Sequence, residues 1–291
     1  MKSVIADVKT GTEFKTPGKG GNGMVYFVKS KSGKEYAIKI PLDKKNVQTT
    51  EINIMKKLSS SPNCHPSIVC YYGLAKTRFG KGIIMEYITG HDLFDLYEKD
   101  VKISTDQLYA LMYHLFSGIK YMHSFGIAHR DIKLENIMFT DKELKIIDLG
   151  DACFFMKGNG KNSLCNDIRG TKECMSPEIG NKEILLHPEL WQVCDVWALG
   201  IVMLEMATFD LDHPTGEELG KKYNTNYNAM QKIMSKYLEN STKSCDSGIK
   251  KAIKLSLVTN PKTRIAAEYV VECLDKIKLK NKNVFNLRLS I

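Results

Sequence analysis

The chain has 291 residues, of which 43% are hydrophobic and 26% are charged, and its formal net charge is +9. This much apolar material fills one large core or two lobes that share an interface. The N-terminus has no signal-peptide pattern and no apolar stretch approaches the roughly 18 to 20 residues that cross a bilayer, so we expect a soluble intracellular protein. No basic stretch alternates with aromatic residues, so the charge favours a solvated lysine-rich surface over a specific nucleic-acid or membrane partner.

Eight cysteines are spread along the chain without a C-x-x-C pair and without metal-ligand spacing to histidine. This pattern indicates neither a zinc site nor a disulfide framework. We therefore expect reduced, mostly buried thiols.

Short β-favouring runs alternate with glycine-rich turns in residues 14–40, which predicts antiparallel strands, among them MVYFVKS and EYAIKI. Residues 47–58 carry apolar side chains at helical spacing and predict one helix packed on this sheet. Strands are predicted to resume at SIVCYYGL and KGIIMEYI.

Longer helical periods follow the segment TGHDLFDLYEKD and predict helices over residues 104–124, 194–207, 226–239 and 247–258. The chain has no internal repeat, low-complexity tract or proline-rich linker. We expect an α+β fold made of two lobes of one catalytic unit. One domain spans residues 10–278, with a small N-lobe (10–86), a hinge (86–90) and a mainly helical C-lobe (91–278), and a short basic tail follows at 279–291.

The segment GKGGNGMV fits the pattern G-x-G-x-x-G-x-V with glycines at positions 18, 20 and 23. Gly18, Gly20 and Gly23 let a hairpin backbone lie close over phosphates, although an ordinary glycine-rich hairpin has the same pattern. A dinucleotide-binding turn is disfavoured because MVYFVKS reads as a strand, not as the required helix. Lys39 on the adjacent strand is either a surface lysine or a cation that reaches the same phosphates, held there by Glu51.

The segment GIAHRDIKLEN, residues 126–136, concentrates polar side chains in one short loop between apolar segments. With the glycine pattern, Lys39 and the later IIDLG, this loop resembles the catalytic loop of eukaryotic-type serine/threonine protein kinases. The resemblance implies a two-lobed protein-kinase-like fold and a transfer of the γ-phosphoryl group from Mg-ATP to Ser/Thr hydroxyls of protein substrates. The loop is crowded because phosphoryl transfer depends on positioning and charge neutralisation.

The resemblance also implies roles for single residues. Asp131 is expected to be the catalytic base, and Lys133 to steady the γ-phosphate as in serine/threonine kinases. Asn136 and Asp148 are expected to bind Mg²⁺, and Leu149 replaces the phenylalanine of the usual D-F-G.

The nucleotide pocket follows from the same resemblance. Met85 is expected at the back of the adenine pocket, and the backbone of Glu86 to Ile88 is expected to read the adenine edge. The apolar slot is completed by Val25 and Ala37 above the ring and Met138 below it, although core packing alone explains these residues equally well. Asp92 either binds ribose or a basic substrate residue, or is a surface acid.

Further matches extend the resemblance over roughly residues 14–270. GTKECMSPE looks like the end of an activation segment and DVWALG like the helix that anchors the catalytic loop through Asp195. Arg264 resembles the buried partner of Glu178. Residues 210–250 match the family only loosely, so nothing is inferred about substrate docking there.

Two alternatives to an active protein kinase remain open, namely a nucleotide-binding pseudokinase that acts as a scaffold and a small-molecule kinase with a related fold. The five polar residues Lys39, Glu51, Asp131, Asn136 and Asp148 argue against the first, and MSPE with Asp195 and Arg264 argues against the second. We expect a monomer.

Regulation is predicted from Arg130, which precedes Asp131 and in such kinases pairs with a phosphate on the activation segment. Asp167 stands near the position of that phosphorylated residue and is expected to supply the negative charge in its place. The alternative is a solvated loop aspartate with Ser163 as the modified residue. Cys153 and Cys174 are expected to be inert, with a redox-sensitive thiol as the alternative.

Overall fold

The computed structural model describes residue 8 and residues 12–20, 23–41, 49–60, 64–77, 80–140, 144–155 and 165–280. The N-terminal part is one antiparallel five-stranded sheet in the order β1-β2-β3-β5-β4. Its strands are β1 (Thr12–Gly20), β2 (Gly23–Lys29), β3 (Glu35–Pro41), β4 (Tyr71–Thr77) and β5 (Gly80–Glu86). The predicted strand SIVCYYGL is shorter than expected, because residues 67–70 form only an isolated bridge from Ile68 to Ile146 before β4 begins at Tyr71.

Among the described residues of this part, the main helix is α1 (Thr49–Leu58), as the periodicity predicts. Its buried face presents Ile52, Ile54, Met55 and Leu58 to the core, and it also buries Glu51. A carboxylate is rarely buried without a partner. We therefore expect Glu51 to form an ion pair with a residue of the sheet. Residues 47–48, at the predicted start of the helix, lie outside the described residues.

The larger C-terminal part is mainly helical. Its helices are α2 (Leu93–Glu98), α3 (Thr105–Ser124), α4 (Pro177–Gly180), α5 (Trp191–Thr208), α6 (Gly216–Tyr223), α7 (Tyr227–Ser241), α8 (Ser247–Ser256) and α9 (Ala267–Lys280). Short strands β6 (His91–Asp92), β7 (Ile127–Ala128), β8 (Ile137–Phe139), β9 (Leu144–Ile146) and β10 (Cys153–Phe154) pair as β6-β8-β9 and β10-β7. Helix α9 ends two residues beyond the predicted domain boundary, and the remaining tail, 281–291, lies outside the described residues.

Helix α3 begins where the sequence predicts it, because Ser104 caps it in a capping box with Gln107. Helix α5 is buried along nearly its whole length, from Trp191 to Met206. The expectation that no apolar stretch is long enough to cross a bilayer was wrong, since Pro188–Thr208 passes that test by length and composition. With 83% of its most apolar window buried inside the protein, α5 is the central core helix.

The expectation of reduced thiols was wrong for four of the eight cysteines. Cys64 pairs with Cys70 and Cys153 with Cys165, with Cα–Cα distances of 5.6 and 5.5 Å that suit a disulfide. The spacing of the cysteines along the sequence did not indicate either pair. Cys165 meets Cys153 only because both pack into the same part of the core. Cys174 and Cys194 remain free and buried, and burial raises the pKa of both thiols well above the ordinary value, as expected for inert cysteines.

Candidate active site

A cleft of about 720 Å³ lies between the sheet and the helical part. Its walls include parts of β1, β2, β3, helix α1, β5 and the segment after it. The other wall includes the loop after β7, β8, the loop after β9 and residues 170–171. The cleft is lined by the predicted residues Gly18, Gly23, Val25, Ala37, Lys39, Glu51, Met85, Glu86, Ile88, Asp92, Asp131, Lys133, Asn136, Met138 and Asp148. Gly20 ends β1 opposite Gly23.

The glycine hairpin needs its last glycine for a packing reason. A Cβ on Gly23 would lie 2.6 Å from the carbonyl oxygen of Ile40 on the neighbouring strand. A larger residue would therefore push β2 away from β3 and shift the roof of the cleft.

Lys39 joins the sheet, helix α1 and the loop after β9. Its Nζ donates to Glu51 Oε1 and to Asp148 Oδ1, both at 2.6 Å, and the side chain is buried. Burial alone would lower the pKa of Lys39, but the charges of Glu51 and Asp148 raise it above the ordinary value. Lys39 therefore stays a cation that two carboxylates fix in position.

The loop after β7 is anchored from beneath by helix α5. Asp195 is almost fully buried, and its carboxylate accepts hydrogen bonds from the backbone N–H groups of His129 and Arg130, both at 2.9 Å. His123 Nε2 lies 2.9 Å from the same carboxylate. Arg130 has φ +70°, a left-handed conformation that a non-glycine residue adopts only at a cost, and these bonds offset that cost. Asp195 thus fixes the backbone that presents Asp131.

Asp131 lies at the centre of a small hydrogen-bond network. Its Oδ1 accepts from Thr171 Oγ1 at 2.7 Å, and its Oδ2 accepts from Asn136 Nδ2 at 2.9 Å. Lys133 Nζ donates to the same Thr171 hydroxyl at 2.9 Å and lies 3.3 Å from Asp131 Oδ2. Thr171 was missed by the sequence analysis, although it stands inside the quoted segment GTKECMSPE, because nothing local ties it to a residue 40 positions earlier.

Two oxygen ligands suitable for a cation face the cleft. Asn136 uses its amide nitrogen for Asp131, so its amide oxygen is the atom left for a cation. Burial would raise the pKa of Asp148, but Lys39 outweighs burial and lowers it, so the carboxylate stays ionised. Within the described residues no group of three or more His, Cys, Asp or Glu is arranged to hold a metal. One carboxylate and one amide oxygen nevertheless fit Mg²⁺, which usually takes few protein ligands and completes its shell with phosphate and water.

The deeper part of the cleft is apolar. Ala37 and Val25 lie on adjacent strands, since Ala37 pairs with Phe27 and Val25 with Lys39, and Met138 lies on β8 in the other lobe. The Glu86 carboxylate is engaged by Lys145 Nζ at 3.0 Å and by the Cys70 backbone N–H at 3.1 Å. The Glu86 N–H also donates to the Cys70 carbonyl at 2.9 Å, so neither this N–H nor the Glu86 carboxylate is available to a ligand.

Asp92 has a structural role that the sequence analysis did not name. Its carboxylate accepts from the backbone N–H of Asp95 at 2.9 Å and so caps the N-terminus of helix α2. Burial raises the pKa of Asp92 from the ordinary value. The side chain also lines the cleft, so the cap and a contact with a ligand are compatible.

Arg130 contacts the segment that contains Asp167. Its Nη1 donates to Asp167 Oδ1 at 2.9 Å and to the Asp167 carbonyl at 3.0 Å, and its Nε donates to the Asp151 carbonyl at 2.6 Å. Arg169 Nε donates to Asp167 Oδ2 at 2.6 Å. Burial would raise the pKa of Asp167, but the hydrogen bonds from Arg169 and Arg130 lower it. The carboxylate is thus an ionised partner of Arg130, whereas Ser163 lies outside the described residues.

Gly170 brings this segment against the loop after β7. It has φ +108°, and a Cβ there would lie 2.2 Å from the Arg130 carbonyl oxygen. Only glycine permits this approach, which places Thr171 next to Asp131.

A second buried ion pair supports the site from below. Arg264 Nη1 and Nη2 donate to the two carboxylate oxygens of Glu178 at 2.5 and 2.9 Å, and both side chains are fully buried. The guanidinium carbon lies 5.0 Å from the Trp197 ring centre. The pair joins helix α4 to the loop before α9 and to the core helix α5.

Most of this chain matches known proteins in sequence. The family model described as "Protein kinase domain" matches residues 12–273. The chain is 33% identical over 196 residues to calcium-dependent protein kinase 5 of Plasmodium berghei. The aligned residues cover 64% of this chain and 32% of that protein. It is 33% identical over 199 residues to serine/threonine-protein kinase CG17528 of Drosophila melanogaster, with 64% and 24% covered. It is 30% identical over 209 residues to human serine/threonine-protein kinase Nek5, with 69% and 28% covered.

The chain therefore spans between about a quarter and a third of the length of these three relatives. The family model covers residues 12–273, a longer stretch than the 196 to 209 residues aligned with each relative.

Proposed function

The chain belongs to the protein kinase domain family, and we propose from this premise that it transfers the γ-phosphoryl group of Mg-ATP to serine and threonine hydroxyls of protein substrates. One observation carries the proposal: Lys39 bridges Glu51 and Asp148, while Asp131 lies in the same cleft in contact with Thr171 and Lys133. A fixed cation and a fixed carboxylate on opposite sides of one cleft suit a reaction that depends on positioning and charge.

ATP is proposed to lie with its adenine in the slot formed by Val25, Ala37 and Met138. Backbone groups of residues 86–88 are proposed to form hydrogen bonds with the edge of the adenine. The phosphates then extend toward Lys39 under the glycine hairpin, where backbone N–H groups approach closely because Gly18 and Gly23 carry no Cβ.

Asn136 and Asp148 are proposed to hold Mg²⁺ through the amide oxygen and the ionised carboxylate. When bound, the ion neutralises charge on the phosphate oxygens. Lys39 keeps Asp148 ionised and in place before the nucleotide arrives.

Asp131 is proposed to accept the proton of the substrate hydroxyl. Its Oδ1 already accepts a hydrogen bond from the Thr171 hydroxyl, which supports the idea that this oxygen can receive an O–H group. Lys133 Nζ lies 3.3 Å from Asp131 Oδ2 and is proposed to steady the phosphoryl group that is transferred there. A protein substrate is supported by the family and by the names of the relatives, and the serine/threonine preference rests on Lys133 and on those names.

The test is phosphate transfer from labelled ATP to a generic basic protein and, in parallel, to a panel of small metabolites. Asp131→Asn is expected to lower turnover by about 10²- to 10⁴-fold while ATP binding stays nearly unchanged, because the base acts on the incoming hydroxyl. Asp106→Asn, which removes an exposed carboxylate on helix α3, is the matched control.

Turnover of Asp131→Asn within about threefold of the wild type would remove Asp131 from the mechanism. Nucleotide binding without transfer by the wild type would favour a pseudokinase scaffold. Transfer to a metabolite but not to protein would favour a small-molecule kinase.

A further inference from the structure

The disulfide between Cys153 and Cys165 joins strand β10 to the segment that carries Asp167. Cys153 lies on β10 and pairs with Ala128 on β7, the strand that leads directly into the loop of Asp131. Cys165 stands two residues before Asp167. The covalent bond therefore connects a strand fixed by backbone hydrogen bonds to the residue that contacts Arg130.

The disulfide lies in the core beneath Arg130. Cys153 and Cys165 are each 1% exposed and belong to one apolar cluster with Trp191. The guanidinium carbon of Arg130 lies 5.1 Å from the centre of the Trp191 ring. The disulfide therefore packs in the same apolar cluster as Trp191, and Arg130 packs on the ring of Trp191.

One end of the polar contact above this unit is open to water, since the Arg130 side chain is buried but the Asp167 side chain is not. The Asp167 side chain is 48% exposed, and ion pairs at such a site are screened by water and salt. A cross-link over a loop of 12 residues shifts the balance between the ordered and the free segment by a factor on the order of 100. The disulfide is therefore a second constraint on the position of Asp167, which acts together with the contacts from Arg130 and Arg169.

We propose that Cys153–Cys165 is a reversible redox site that controls phosphoryl transfer by holding Asp167 against Arg130. The inference rests on the proposed kinase function. In the oxidised chain the segment stays docked, Thr171 stays beside Asp131 and the enzyme is active. In the reduced chain the segment leaves Arg130 for a larger part of the time and activity falls.

The switching reagent is a thiol or dithiol reductant. Because both cysteines are buried, a reductant thiolate reaches the bond when the segment opens locally. It then attacks one sulfur, breaks the Cys153–Cys165 bond and forms a mixed disulfide while the other cysteine leaves as a thiolate. The second reductant thiol then closes its own disulfide and releases the first cysteine. Two electrons pass from the reductant to the protein, and oxidation reverses the step. In a reducing compartment such a bond is transient, which suits a sensor.

The test compares the full chain purified without reductant with the same chain after treatment with dithiothreitol. Mass spectrometry after alkylation reports the state of each cysteine. We expect kcat/KM for a protein substrate to fall about tenfold on reduction, and amide hydrogen exchange in residues 165–170 to become faster. Reoxidation should restore both.

Two variants separate this bond from the other disulfide. Cys153→Ala/Cys165→Ala should match the reduced wild type and no longer respond to the reductant. Cys64→Ala/Cys70→Ala should keep the full response. If the alanine pair at 153 and 165 does not fold, the wild-type comparison still decides.

Two results would overturn the proposal. One is free Cys153 and Cys165 in the protein purified without reductant. The other is unchanged hydrogen exchange in residues 165–170 after both thiols are shown to be reduced. If neither redox state transfers phosphate, the proposed function fails, and the exchange measurement alone decides the redox inference.

Discussion

Removing the charge of Glu178 should destabilise the fold far more than removing an exposed carboxylate. Arg264 uses both terminal nitrogens for Glu178, and its remaining donors reach the carbonyls of Val193, Val258 and Thr259. Glu178→Gln leaves this guanidinium charge buried without a counter-ion and turns one acceptor into a donor. Breaking a buried pair in this way costs about 3 to 5 kcal/mol of unfolding free energy.

The measurement is equilibrium unfolding in urea together with a thermal scan. For a chain of this size the cost corresponds to a fall in Tm of about 5 to 15 °C. The matched control is Glu268→Gln, because Glu268 lies 3.4 Å from Lys120 in a pair that is 64% and 40% exposed. That substitution should cost less than about 1 kcal/mol.

Replacing both partners gives a further check. Glu178→Leu/Arg264→Met should recover most of the stability lost in Glu178→Gln, since the double variant buries no unpaired charge. A cost for Glu178→Gln as small as that of the control would refute the reasoning, because the pair would then contribute no more than a surface contact.

Two further predictions concern the active site. Lys39→Met should lower kcat/KM by about 10²-fold or more. Glu51→Gln should lower it less, because the glutamine loosens Lys39 without removing it. Equal rates for the two variants, measured with labelled ATP, would contradict a positioning role for the pair. Phosphatase-treated enzyme should stay active because Asp167 already pairs with Arg130, and Asp167→Asn should lose most of that activity while Ser163→Ala loses little. A phosphatase-treated wild type without activity would show that a phosphate is needed.

Much of the fold was readable from the sequence because its signals are local. Helix α3 begins at a capping box. Strands β2 and β3 are formed by the runs of β-favouring residues that the sequence places between glycines. The segment HRDIKLEN was also identifiable, since Asp131, Lys133 and Asn136 stand within six residues of one another. In each case the determining interactions join residues close together in the chain.

The cysteines show where such reading fails. Spacing gave no reason to pair Cys153 with Cys165 or Cys64 with Cys70, and the prediction of free thiols was wrong for all four. The core helix α5 shows a related limit, since its composition alone does not distinguish a membrane span from a buried helix. Only its packing inside the protein decides.

The sequence by itself determined the order of the elements and the chemical types of residue available to the site. Only the tertiary structure decided which of them meet: Lys39 with Asp148 across 109 positions, Asp131 with Thr171 across 40, and Glu178 with Arg264 across 86. The physical reason is that periodicity and capping act over one or two turns of chain. Contacts between distant side chains depend instead on how the whole core packs.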